Sequence, residues 1–80
     1  MKNESTFAPI REYEASEIKE IRNGLGMTQA VFALFMGVSK KTVEAWEAGR
    51  NMPDGPARRL LAMAQADPEI TEKCRSVTTA

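Results

Sequence analysis

The chain has 80 residues, 42% apolar and 28% charged, enough for one small domain with one modest core. It has no histidine and a single cysteine, Cys74, so it lacks the commonest general base and metal ligand and cannot close a disulfide on itself; no enzyme activity, metal or cofactor is expected. Its 11 Lys and Arg balance 11 Asp and Glu, a neutrality that argues weakly against a nucleic-acid partner.

That average hides unlike segments. Residues 1–21 carry three basic against five acidic side chains, whereas residues 22–50 carry four basic (Arg22, Lys40, Lys41, Arg50) against two acidic (Glu44, Glu47). A local positive surface is therefore compatible with a neutral chain. The opening MKNESTFAPIREYE has no apolar run of signal-peptide length, and nothing later approaches a membrane span, so the expectation is a cytoplasmic protein with no membrane partner. Phe7, Pro9, Ile10 and Tyr13 show no clear period, and Pro9 weakens any helix there; residues 1–14 are read as an arm.

From about Ala15 the spacing of Ile18, Ile21, Arg22 and Leu25 predicts a first helix, closed by Gly24 and Gly26. Thr28 is an N-cap for a second, in which Ala30, Phe32, Ala33 and Met36 are expected to face inward before Gly37 ends it; Val38 should dip back into the core. Ser39 caps a third, with Val43 and Trp46 marking its buried face and Gly49 its end. The turn-rich RNMPDGP follows, then a fourth helix with Pro56 as its first residue, Leu60, Leu61 and Ala64 inward, and Pro68 as its limit. Residues 69–80 are read as a short helix around Ile70 to Val77, then a tail.

Lys40 and Lys41 stand just after the cap of the third helix, where unpaired N–H groups and the positive end of the dipole disfavour cations. Compensation is expected from outside the helix, and a phosphate or the acceptor edge of a base would supply it. The surrounding QAVFALFMGVSKKTVEAWEA, residues 29–48, meets the demands of a helix-turn-helix: Ala33 is small where two helices cross, Gly37 suits the sharp turn, and Val38, Val43 and Trp46 supply contacts that fix the crossing.

On these residues the chain resembles the lambda repressor/Cro-like (Xre-type) DNA-binding domains. IRNGLGMTQAVFALFMGVSKKTVEAWEAGRNMP is similar to the family pattern of an Ile-Arg helix end, Leu-Gly-x-Ser/Thr-Gln, a Phe-Ala pair, Gly-Val-Ser and Trp-Glu-x-Gly-Arg-x-x-Pro. The resemblance covers residues 15–68 and implies an all-α, four- to five-helix lambda repressor-like domain with its helix-turn-helix at residues 29–48. PDGPARRLLAMAQADPE is most similar to the HigA-type and MqsA-type antitoxin branch, whose members commonly bind their own promoter. Most antitoxins of that branch carry a toxin-binding segment at one end, and only a short arm and tail flank the match here.

The resemblance implies that Gln29, after the Thr28 cap, bonds a phosphate, and a capped helix start agrees because its N–H groups face anions. Ser39, Lys40, Lys41 and Thr42 would open the helix laid in the major groove, with the two lysines reading bases and Ser39 and Thr42 on the backbone. Ala45 could touch a thymine methyl, while Glu44 would repel phosphate unless it meets a cytosine amine or solvent. Arg50 and Asn51 would follow the sugar-phosphate backbone, and Arg22 and Glu47 match a family pair that forms a structural salt bridge between the first and third helices. Trp46 is read as core.

Val31, Leu34 and Phe35 form a second apolar stripe on the second helix. It is either a partner surface or, if Phe35 wraps inward against the arm, mostly packing. The function expected is a sequence-specific regulator, an antitoxin-like autorepressor that binds an inverted-repeat operator in double-stranded DNA as a homodimer, with a cognate toxin as a further partner. The alternative is a protein-interaction module that binds a toxin or regulator with weak or no DNA affinity.

Overall fold

Five helices follow one another along the chain: α1 (Ala15–Gly24), α2 (Gln29–Met36), α3 (Lys40–Glu47), α4 (Gly55–Ala66) and α5 (Glu69–Arg75). The structure, a computed structural model, describes residues 6–75, among which there is no strand; the first five residues of the arm and the tail from residue 76, Val77 included, lie outside the described residues. No helix among the described residues is long and apolar enough to cross a membrane.

The helix starts are set locally. Thr28 Oγ1 accepts from the Val31 N–H at 3.1 Å, Ser39 Oγ from the Thr42 N–H at 3.1 Å, and Asp54 Oδ1 from the Ala57 N–H at 3.0 Å. Each satisfies one of the donors a helix start leaves over. At α1 the Glu17 carboxylate reaches back to the Glu14 N–H at 3.0 Å. The Asp54 cap starts α4 at Gly55, so Pro56 is its second residue and not its first. Gly37 ends α2 at φ 74°, a left-handed conformation that disfavours any L side chain although nothing stands within 4 Å of a Cβ there. The Val38 N–H then returns to the Ala33 carbonyl at 3.0 Å, and Val38 packs half-buried against the core as expected.

The core is one cluster: Ile18 and Ile21 from α1, Met27 from the α1–α2 turn, Phe32, Ala33 and Met36 from α2, Val43 and Trp46 from α3, and Ala57 and Leu61 from α4. Through it α2 packs on α3, and α1 on α3 and α4, while α5 packs on α4. Ala30, expected inward, is exposed. At about 100° per residue it lies far around α2 from both Phe32 and Met36, and those two larger side chains set the buried face.

The arm joins the core. Tyr13 is only 2% exposed and its hydroxyl donates to Gln65 Oε1 of α4 at 3.2 Å. Arg11 lies over the Tyr13 ring at 4.0 Å, and Arg59 of α4 donates to the Ala8 carbonyl at 3.0 Å. Residues 6–14 have no regular secondary structure, so no spacing marks Tyr13 as the ring that packs. In α5 the buried Thr71 satisfies its hydroxyl on the Pro68 carbonyl at 2.9 Å.

Candidate nucleic-acid interface

The start of α3 presents a short polar ridge. Ser39 and Thr42 hold one another through their hydroxyls at 3.0 Å while Ser39 also caps the helix, which fixes both side chains at its first turn. Lys40 and Lys41 are exposed, and Val43 and Trp46 anchor the opposite face in the core. Lys41 and Ala45 lie one turn apart on the same side of α3.

One expectation needs correcting. Lys40 finds part of its compensation within the helix, since its Nζ lies 3.6 Å from Glu44 Oε2. This exposed i,i+4 pair is a weak interaction, and it answers what Glu44 does: it neutralises Lys40, which a reading of Glu44 against phosphate alone overlooks. Lys41 makes no ion pair among the described residues. Arg50 and Asn51 are exposed in the loop after α3, where the Arg50 N–H bonds the Ala45 carbonyl at 2.9 Å.

At the other end of α3 Glu47 joins a largely buried charge cluster. Arg22 Nε donates to Glu47 Oε2 at 2.6 Å and Nη2 to Oε1 at 3.1 Å, a bidentate pair with side chains only 11% and 6% exposed. The remaining Arg22 donor, Nη1, holds the Met27 carbonyl at 2.9 Å and so ties down the turn that leads to the Thr28 cap. Burial pushes the Glu47 carboxyl up, but hydrogen bonds from Arg22 and Gln29 with the charges of Arg22 and Lys19 together outweigh it and hold the group below its ordinary value. The Glu47 hydrogen bond in turn raises Arg22 despite burial.

The sequence reading missed one member of this cluster. Gln29 is half-buried, and its Nε2 donates to Glu47 Oε1 at 3.1 Å. The residue expected on a phosphate is thus also part of the Arg22–Glu47 cluster. No spacing rule pairs positions eighteen apart, so only the crossing of α2 and α3 could reveal it.

The Val31, Leu34 and Phe35 stripe divides. Phe35 turns onto the core with its ring 6.5 Å from that of Phe32, and Val31 is half-buried beside it. Leu34 is 82% exposed. With Met27, Thr71, Cys74 and Arg75 these residues line a groove of about 390 Å³ between α2 and α5. Among the described residues no group of three or more Cys, Asp or Glu converges as a metal site requires.

Comparison with known proteins matches a family model described as helix-turn-helix to residues 18–66, which run from within α1 to the end of α4. The chain is 43% identical over 53 residues to antitoxin HigA-2 of Vibrio cholerae serotype O1 (strain ATCC 39315 / El Tor Inaba N16961), covering 66% of this chain and 51% of that protein. It is 32% identical over 63 residues to the uncharacterized HTH-type transcriptional regulator YiaG of Escherichia coli (strain K12), covering 79% of this chain and 66% of that protein. The chain spans between about half and two thirds of the length of these curated relatives.

Proposed function

We propose that this chain, which belongs to the helix-turn-helix family of DNA-binding regulators, is a sequence-specific, dimeric repressor, the antitoxin-like autoregulator of a toxin operon in the cytoplasm. The observation that carries the reading is the capped start of α3, where two exposed lysines occupy the end of the helix that disfavours cations and Lys41 has no ion-pair partner among the described residues. Lys41 and Lys40 donate to guanine O6 and N7, Ser39 and Thr42 meet the backbone, and Ala45 touches a thymine methyl. Gln29 at the Thr28-capped start of α2 takes a phosphate, and Arg50 and Asn51 clamp the backbone beyond α3. A toxin partner is supported by the Vibrio relative, an antitoxin by name.

The test is a salt-dependent binding assay on the DNA upstream of the gene. Lys41→Ala should lose about 1 to 3 kcal/mol on the operator and much less on unrelated duplex, because a base contact discriminates and a phosphate contact does not. Equal losses on both would remove Lys41 from base readout. Since one recognition helix covers only a few base pairs, footprinting should show an inverted repeat with half-site centres about 34 Å apart or a multiple of it. One short asymmetric site bound by a sedimenting monomer is the contrary result.

The exposure of Leu34 favours a second reading, a module whose main work is to bind another protein. Leu34→Glu should leave the melting temperature within a few degrees, because the side chain is 82% exposed, and leave half-site DNA binding nearly intact. It should weaken self-association or toxin binding strongly, since a charge in an apolar contact is costly to desolvate. Survival of every association in this variant would exclude Leu34 from any interface.

A further inference from the structure

Glu47 has two oxygens and, as a carboxylate, only accepts. Oε2 accepts from Arg22 Nε, and Oε1 accepts from both Arg22 Nη2 and Gln29 Nε2. An amide facing such a group has one orientation, because turning it over would set oxygen against oxygen. The Gln29 side chain is therefore held with its nitrogen on Glu47. The second N–H of that nitrogen has no hydrogen-bond partner among the described residues, and Gln29 stands at the first turn of α2.

We propose that Glu47 is a positioning residue for DNA binding, which orients the Gln29 amide so that its free N–H meets a phosphate; the inference rests on the DNA-binding reading above. Glutamine is among the side chains that lose most rotamer freedom when immobilised. Ordering it before binding removes that loss from the association step. The arrangement also explains why a carboxylate can be tolerated close to a phosphate, since Arg22 at 2.6 Å neutralises it. One cluster thus joins α1 through Arg22, the α1–α2 turn through Met27, the start of α2 through Gln29 and the end of α3 through Glu47.

The experiment is a double-mutant cycle on duplex DNA at low salt, with the operator and an unrelated sequence as probes. Glu47→Gln should weaken binding to both about tenfold, the worth of one charge-assisted hydrogen bond lost or left to chance, and should change affinity little in the Gln29→Met background. Glu47→Asp, which keeps the charge beside Arg22 but shortens the reach to Gln29, runs through the same cycle if Glu47→Gln folds poorly. In the free protein the two Gln29 amide protons should be dispersed in the NMR spectrum and collapse toward free-glutamine positions in either Glu47 variant, a change that a merely structural role does not predict. Folded Glu47 variants that bind like the parent, or that lose as much in the Gln29→Met background as without it, overturn the positioning role and leave the repressor reading standing. A parent protein that binds neither duplex overturns both.

Discussion

Arg22→Ala is expected to lower the free energy of unfolding by about 3 to 5 kcal/mol, because it leaves a carboxylate in the interior with its main partner gone. Glu47 is only 6% exposed while Arg22 covers it, and the same substitution frees the Met27 carbonyl that Arg22 holds at 2.9 Å. Urea unfolding at neutral pH measures the loss. Replacing both members of the pair with apolar residues of similar volume should recover much of it, since no charge then remains buried.

The pH dependence has a definite sign. With Arg22 present, the Glu47 carboxyl of the folded protein lies below its ordinary value of 4.5, so its contribution is present above that value and is lost as pH falls through the folded pKa. Without Arg22 its hydrogen bond and charge no longer hold the Glu47 carboxyl down, so the folded pKa rises above that of the parent. The parent then loses more stability than the variant as the medium is acidified, and the gap between parent and Arg22→Ala should narrow from neutral pH downward. A gap that widens on acidification would contradict this account of the pair.

Tyr13→Ala is expected to cost about 3 kcal/mol or more, as for removal of a buried aromatic ring. Its ring sits in the core cluster at 2% exposure, and its loss would open a cavity against α4. Tyr13→Phe keeps the ring and removes only the hydroxyl that donates to Gln65 at 3.2 Å, so it should cost about 1 kcal/mol. Thermal or urea unfolding of the two variants separates packing from hydrogen bonding. Equal stability of Tyr13→Ala and the parent would mean that the arm is not anchored through this ring.

The helix-turn-helix at residues 29–48 is legible in the amino-acid sequence because its caps, its turn and its buried spacing are local. Thr28 and Ser39 cap with their own side chains three residues ahead, and Gly37 takes the positive φ that the turn requires. Val43 and Trp46 repeat at helical spacing on one face. The exposed lysines at the start of α3 are legible for the same reason, and the i,i+4 spacing of Lys40 and Glu44 carries their ion pair. The Arg22–Glu47 pair was legible only through resemblance, since nothing in its spacing predicts it. Long-range packing places Tyr13 in the core, turns Phe35 onto Phe32 while leaving Leu34 outside, and brings Gln29 to Glu47. Each of these depends on how side chains meet once helices cross or the chain folds back, and such contacts follow from packing distances that periodicity along one element does not encode.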